Sequence, residues 1–310
     1  MAVFSQGLLV ATVRLSTPLL LAATGELIAE ESGVLNLGVE GMMLTGALSG
    51  FLATYFTGSL WIGWLAAVAA GACLALVFGY FSITLRCHQV VVALGINLLA
   101  SGGTAFCYRT LFGLAATTPE VATASPIPIP GLSSIPFLGP ILFQHDLLVY
   151  LAFAAPCIAS LVLYRTPWGA IIRSVGDNPR AAESVGIPVN LVRYLATATG
   201  GAMAGLAGAH FSTVELNVFL EDMTGGAGWI AVAIVIFGNW RPLGILGAAL
   251  FFGAAEALQL RLQGAGTGLP REFVVMLPYV LTLVALCGKL RRSNTPRQLC
   301  VPYIRIGASR

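Results

Sequence analysis

The sequence predicts an all-α membrane protein, a polytopic helical bundle with about nine or ten spans. Of its 310 residues, 57% are hydrophobic and only 9% are charged, whereas soluble domains carry charge on about a quarter of their residues. A mean hydropathy of +0.87 indicates that most of the surface faces lipid. Because 16 basic residues nearly balance 13 acidic ones, the composition also excludes a soluble nucleic-acid-binding protein.

Nine apolar stretches follow one another along the chain, and a helix that crosses a membrane needs about 20 apolar residues. They comprise residues 8–29, 34–55, 60–82, 89–112, 147–164, 191–214, 229–238, 243–260 and 273–287. The stretch at residues 229–238 is short for a crossing, and the one at residues 34–55 contains Asn36, Glu40 and several glycines. Both are candidates for broken or re-entrant segments, which membranes tolerate where protein or a cavity shields the backbone.

The distribution of Lys and Arg indicates which connections are cytoplasmic. Residues 165–193 contain four arginines and residues 288–310 contain six basic residues. Residues 113–146 contain no Lys or Arg, and residues 215–222 carry only acidic charges. The positive-inside rule therefore places the two basic regions in the cytoplasm and the other two outside.

These assignments leave the number of spans open. Nine spans put the N terminus outside, whereas a tenth span hidden within residues 33–58 would put it inside. We divide the chain into a transmembrane domain at residues 1–290 and a basic cytoplasmic tail at residues 291–310.

The chain lacks the motif of an ATPase. A P-loop needs the lysine of GxxxxGK[ST], and the one lysine in the sequence, Lys289, is followed by Leu290. The three histidines, His88, His145 and His210, stand apart from one another without a ligand pair. We therefore expect a protein that is not an enzyme and that binds no metal or cofactor.

Polar side chains within the apolar stretches are candidates for a transport pathway, because they are costly in lipid unless paired. Asn36 and Glu40 lie four residues apart in GVLNLGVEG, and Asn97 and Ser101 lie four apart in ALGINLLASGG. This spacing places each pair on one helical face. Neutral hydrogen-bonding groups suit a polyhydroxylated solute better than an ion. Alternatively, these residues bridge helices, where one hydrogen bond contributes about 0.6 to 2 kcal/mol.

The segment GDNPRAAESVGIPVN, residues 176–190, predicts a two-turn helix over residues 179–185. Asn178 suits the N-cap and Pro179 the first helical position. Gly186 suits the left-handed position after the end, and Pro188 prevents continuation. A helix this short is marginal alone, so it must pack on its own bundle or on a partner.

This segment resembles the coupling loop of ABC-transporter permeases, which seats in a groove of the ATPase subunit. Three further stretches resemble the nucleoside and simple-sugar branch of that family, which is related to the ribose and branched-chain amino-acid permeases. They are GELIAEESGVLNLGVEGMMLTGA at residues 25–47, PIPIPGLSSIPFLGP at residues 126–140 and GWIAVAIVIFGNWRPLGILGAALFFGAAEALQLRLQ at residues 228–263. The resemblance implies a bundle of the vitamin B12 (type II) importer class, with about ten spans and a cytoplasmic N terminus.

The resemblance also implies a function and a set of partners. The chain would be a permease subunit importing nucleosides or a related simple-sugar or ribosyl solute across the bacterial inner membrane. A separate ATPase would hold ATP and Mg²⁺, beside a second, different permease and an extracytoplasmic solute-binding protein. The ATPase-coupling residues would be Asp177, Asn178, Pro179, Arg180, Ala181, Ala182, Glu183, Gly186 and Ile187.

Within this segment, the small Ala181, Ala182 and Ser184 would let a partner surface approach closely, while Arg180 and Glu183 would fix its register. Two other classes remain open at this point. One is a proton-driven secondary transporter with Glu26, Glu40 or Glu256 as the relay, and the other is a non-transporting scaffold. The one departure from the family pattern is Glu31, which stands where the resemblance implies a basic residue.

Overall fold

One pair of two-residue strands is the only strand pairing in the described part of the chain, and the rest of its regular structure is helical. The computed structural model describes residues 2–113, 119–131, 133, 135–264, 276, 280 and 294–304. The helices are α1 (Ala2–Glu31), α2 (Val39–Thr57), α3 (Leu60–Gly79), α4 (Gln89–Phe112), α5 (Leu138–Leu142), α6 (Leu147–Arg165), α7 (Pro167–Asp177), α8 (Pro179–Ser184), α9 (Val189–His210), α10 (Ala227–Gly238) and α11 (Pro242–Gly264). Strand β1 (Ile127–Pro128) pairs with β2 (Gln144–His145) in antiparallel orientation. The predicted all-α bundle is confirmed.

The helices reproduce most of the predicted spans. Within the described residues, five segments are long and apolar enough to cross a membrane: Gln6–Glu31, Leu60–Thr84, Gln89–Phe112, Leu147–Arg165 and Pro242–Gly264. The predicted span at residues 191–214 forms α9 and a π-helical turn, Phe211–Glu215. The short α10 measures about 18 Å at 1.5 Å per residue, less than a membrane crossing. The predicted span at residues 273–287 lies outside the described residues, apart from 276 and 280.

The predicted span at residues 34–55 is broken at its start. Residues 32–38 are not helical, and α2 begins only at Val39. Gly33 turns the chain out of α1 with a φ of +90°, a conformation that glycine adopts without steric cost. Residues 33–58 therefore contain this loop and a single helix, so the expectation of a hidden tenth span there is wrong. We call residues 32–38 the re-entrant loop.

Because helix α1 is continuous, the position of its Glu31 end fixes the side of the bundle on which its first residues lie. It runs without a break from Ala2 to Glu31, and the Glu31 end contacts Gly176 beside the basic connection. With that connection in the cytoplasm, the Ala2 end of α1 lies on the opposite side of the bundle. The unbroken α1 therefore favours the nine-span alternative, with the N terminus outside, over the cytoplasmic N terminus implied by the family resemblance.

Helix α9 packs between α1, α2 and α3, and its glycines let neighbouring backbones approach closely. A Cβ atom on Gly205 would lie 2.2 Å from the carbonyl oxygen of Ala67, and one on Gly208 would lie 1.8 Å from that of Met43. Small residues at such crossings are the usual means of helix association in membranes, since lipid supplies no hydrophobic force between helices.

We expect Gly208→Ala to destabilise the bundle, because the added methyl group cannot fit without separating α9 from α2. Overpacking of this kind costs about 1–3 kcal/mol or more. The check is the thermal midpoint of the detergent-solubilised protein. Gly247→Ala on α11 is the matched control, because its Cβ would have no atom within 4 Å. Equal midpoints for the two variants would contradict the close α2–α9 contact.

Candidate functional site

The predicted coupling helix is present as α8. The Asn178 side chain accepts a hydrogen bond from the backbone N–H of Ala181 (3.1 Å), as expected of an N-cap. Gly186 has a φ of +88°, and its N–H donates to the carbonyl of Glu183 (2.9 Å). The helix ends at Ser184, one residue before the predicted end. Local signals in the sequence therefore located this element correctly.

The two faces of α8 differ from the expectation. Pro179 and Ala182 lie three residues apart on the inward face, and Ala182 is only 3% exposed, packed against Val175, Val189 and Val192. The expectation that Ala182 would meet a partner is wrong, because this methyl group fills the contact between α8 and the bundle.

The outward side of α8 exposes Arg180, Ala181 and Ser184, and Val185, directly after the helix, is exposed as well. Val185 is 75% exposed and was missed by sequence reasoning. Its signal was an apolar residue at the C-terminal end of a helix, four positions after Ala181. The small side chains of Ala181 and Ser184 leave this face open to close approach by another surface. We call these four residues the docking face.

Asn36 is enclosed in the re-entrant loop. Its backbone N–H donates to Oε1 of Glu26 (2.8 Å), and its Oδ1 accepts from the N–H of Gly38 (3.1 Å). It is 0% exposed and precedes α2, so the predicted helical face shared with Glu40 is wrong. The turn made by its own side chain holds the chain out of a helix here. Asn36 thus has no surface for a solute in this conformation.

Glu40 caps the start of α10. Its carboxylate accepts hydrogen bonds from the Thr224 hydroxyl (2.5 Å) and from the backbone N–H groups of Gly226 (2.9 Å) and Gly228 (2.6 Å). A carboxylate is favourable at this position because the first N–H groups of a helix lack intrahelical partners and carry partial positive charge. Glu40 on α2 therefore fixes the start of the 12-residue helix α10 against α2.

Asn97 and Ser101 lie on one face of α4, as predicted, and each connects α4 to a different segment. The Asn97 side chain accepts from the N–H of Gly41 (2.9 Å) and donates to the carbonyl of Leu37 (3.0 Å). The Ser101 hydroxyl donates to Asp222 (2.7 Å). Both side chains are half-buried, at the edge of the exposed face of α4.

An ion pair at the outer end of α4 joins this helix to the segment that contains Glu221. Arg109 donates through Nε to Glu221 (2.6 Å) and also through its terminal amino group, a bidentate arrangement. The hydrogen bond from Arg109 lowers the pKa of Glu221 below its ordinary value, so this pair stays charged at neutral pH. The segment that contains Glu221 and Asp222 is thereby held against α4.

A set of buried charged side chains at the cytoplasmic end was not assigned a site role from the sequence. Glu30 accepts a hydrogen bond from the indole N–H of Trp240 (2.5 Å). Arg193 is 2% exposed, and it donates to the carbonyls of Ser32 (3.2 Å) and Val301 (3.2 Å). Sequence reasoning counted Arg193 only as a cytoplasmic charge, because its partners are more than 100 residues away in the chain.

Metal binding has no support in the part of the chain that the structure describes. There, no group of three His, Cys, Asp or Glu side chains is placed so that it could hold a metal ion. The expectation that the chain binds no cofactor stays a prediction.

Comparison with known proteins finds relatives over nearly the whole chain. Residues 8–286 match the family model described as the branched-chain amino acid transport system permease component. The guanosine ABC transporter permease protein NupQ of Bacillus subtilis is 39% identical over 95% of each chain. A permease protein of Haloferax volcanii assigned to glucose ABC transport is 44% identical over 96% of each chain. A second guanosine permease protein of Bacillus subtilis, NupP, is 25% identical over 91% of this chain and 84% of its own.

Among solved structures, the fold is similar to that of a transporter assigned to the metal-chelate type of ABC transporters, in an inward-facing conformation. The TM-score is 0.53 over 90% of this chain and 84% of the other, with 13% sequence identity. At that identity the similarity supports the type II importer fold and nothing about the solute.

Proposed function

Since the chain belongs to the family of permease components of branched-chain amino acid transport systems, we propose that it forms half of the membrane pathway of an ATP-driven importer. The observation that carries this proposal is the docking face on α8. A six-residue helix that buries one side in its own bundle, and that is followed directly by an exposed apolar residue, is placed to receive a separate ATPase. The proposed ATPase, and not this chain, would bind ATP and Mg²⁺.

For the solute, we propose nucleosides or a related ribosyl or simple-sugar compound. The relatives named for guanosine and for glucose share a polyhydroxylated ring as the feature of their solutes. Asn97 and Ser101 offer neutral amide and hydroxyl groups of the kind that pair with such rings. The family description mentions amino acids, but the relatives at 39% and 44% identity favour a solute with a polyhydroxylated ring.

The second permease, we propose, is a different chain. NupQ and NupP are both named for guanosine transport in one organism, and this chain is related to both. Because Asn97 and Ser101 border the exposed face of α4, a route between two permeases would have α4 as one wall. We place Asn97 and Ser101 along that wall and Glu40 beside it on α2, and we exclude Asn36, which is fully enclosed. A solute-binding protein outside the membrane would deliver the solute.

We expect proteoliposomes that contain this chain and its three proposed protein partners to take up labelled guanosine in preference to labelled leucine. Asn97→Leu should lower guanosine uptake about tenfold, because it removes hydrogen bonds at similar side-chain length. Asn97→Gln, which keeps the amide, should retain more of the uptake. Leucine uptake by the wild type would overturn the proposed solute class. If Asn97→Leu instead prevents assembly of the permeases, Asn97 serves only to bridge α4 to the re-entrant loop.

Glu40 has a structural role that does not depend on a proton-driven mechanism. Its two carboxylate oxygens accept hydrogen bonds from the backbone N–H groups of Gly226 and Gly228 at the start of α10. Glu26 is fully enclosed beside Asn36. Glu256 is half-buried on α11 and is the remaining candidate, which a direct test of the energy source addresses.

A further inference from the structure

Residues 294–304, which fall within the predicted basic tail, lie across the cytoplasmic end of the bundle instead of extending away from it. We call this segment the strap. The backbone N–H of Asn294 donates to the side chain of Asn239 in the α10–α11 turn (3.0 Å). Leu299 packs against the main hydrophobic core. The strap therefore begins at one edge of the cytoplasmic end, and it continues towards α8 on the other.

The strap is attached to the coupling helix and to the residues just before it. The Tyr303 hydroxyl donates a hydrogen bond to the Glu183 carboxylate on α8, and the Tyr303 ring packs on the apolar cluster that contains Ala182. The backbone N–H of Gln298 donates to the carbonyl of Gly176 (2.9 Å). Part of the support for α8 thus comes from Tyr303, which lies 120 positions away from Glu183 in the chain.

The same strap is attached to the re-entrant loop. The backbone N–H of Cys300 donates to the carbonyl of Gly33 (3.1 Å). The buried Arg193 side chain joins Val301 of the strap to Ser32 of the loop. A Cβ atom on Gly33 would lie 3.2 Å from the carbonyl oxygen of Gln298, so strap and loop are in direct contact.

The re-entrant loop leads directly to the proposed route. The loop continues into α2. The side chain of Asn97 on α4 accepts a hydrogen bond from the N–H of Gly41 in α2 and donates one to the carbonyl of Leu37 in the loop. A displacement of α8 has two ways to reach this loop. One passes through the contact of Gly176 with the end of α1, and the other passes through Glu183, Tyr303 and the strap.

We propose that the strap is a positioning element that links the coupling helix to the re-entrant loop, so that movement of α8 on ATP hydrolysis changes the solute route. This inference rests on the proposed function, because it concerns how an ATPase docked on α8 would act on the membrane helices. Tyr303 is the positioning residue: its hydroxyl holds the Glu183 carboxylate, and its backbone follows the anchored residues Cys300 and Val301.

The test measures the number of solute molecules taken up per ATP hydrolysed in the reconstituted complex, together with ATP turnover. Tyr303→Phe removes only the hydroxyl that Glu183 accepts from, and Tyr303→Ala also removes the packing on the α8 cluster. We expect the ratio to fall about threefold for Tyr303→Phe and about tenfold for Tyr303→Ala, with ATP turnover and assembly kept in Tyr303→Phe. Ile304→Ala is the control, because that neighbouring side chain is 55% exposed and should leave the ratio unchanged.

A merely structural role would lower uptake and ATP turnover in the same proportion, or lower the yield of complex, and would leave the ratio unchanged. An unchanged ratio in Tyr303→Phe overturns the proposal, even if Tyr303→Ala fails to assemble. The wild-type complex separates this failure from failure of the proposed function. If the wild type shows no ATP-dependent uptake at all, the importer assignment itself is wrong; if it does, only the role of the strap is in question.

Discussion

Replacing Val185 by aspartate will abolish solute-stimulated ATP hydrolysis by the reconstituted complex while leaving the permease folded. Val185 is the exposed apolar residue of the docking face, and docking on an ATPase would remove it from water. A carboxylate at this place would be buried without a partner, which costs several kcal/mol, and about 1.4 kcal/mol is a tenfold loss of affinity. We therefore expect a loss of at least about a hundredfold in affinity for the ATPase, measured by pull-down and by stimulated ATP turnover.

Two further variants make this prediction specific to the docking face. Ala181→Arg, on the same exposed face, should also block docking and should leave the thermal midpoint unchanged. Ala182→Arg should instead lower the midpoint, because Ala182 lies inside the contact between α8 and the bundle. Val185→Thr keeps the shape of the side chain and should retain most of the affinity. If Val185→Asp and Ala181→Arg both bind the ATPase like the wild type, α8 is not the docking element.

The contrast between Ala181 and Ala182 shows how far sequence could predict this site. The helix itself could be predicted because Asn178, Pro179 and Gly186 act on their immediate neighbours in the chain. Its orientation could not, since Ala181 and Ala182 have the same composition and local propensity. Only the packing of α8 on Val189 and its neighbours distinguishes the inward residue from the outward one.

The same dependence on tertiary packing decides which polar residues of the membrane domain could be placed from the sequence. Asn97 and Ser101 were placed correctly because both lie within one regular helix, where spacing alone fixes the face. Asn36 and Glu40 were not, because a glycine turn and a side-chain hydrogen bond to Gly38 break the helix before Val39. Nor could spacing show that Glu40 caps α10, a contact between residues more than 180 positions apart in the chain.

Uptake through this permease will depend on ATP in the compartment of the ATPase and not on a proton gradient. With the ATPase, second permease and binding protein present, uptake should persist after an uncoupler collapses the gradient, provided that ATP is maintained. It should stop when the ATPase loses its catalytic acid. These results are expected because no complete P-loop exists in this sequence and because the Glu40 carboxylate is committed to hydrogen bonds at the start of α10.

Glu256→Gln is the variant that separates the two energy sources, because it removes a membrane carboxylate while keeping the shape and hydrogen-bonding capacity of the side chain. If ATP drives transport, Glu256 serves to pack α11 against its neighbours, and the variant should retain most of the ATP-dependent uptake. If protons drive transport, the variant should lose uptake while the wild type accumulates solute in ATP-free vesicles with an imposed pH gradient. Such accumulation by this chain alone would rule out dependence on an ATPase, since no docked partner would then be needed to move the solute.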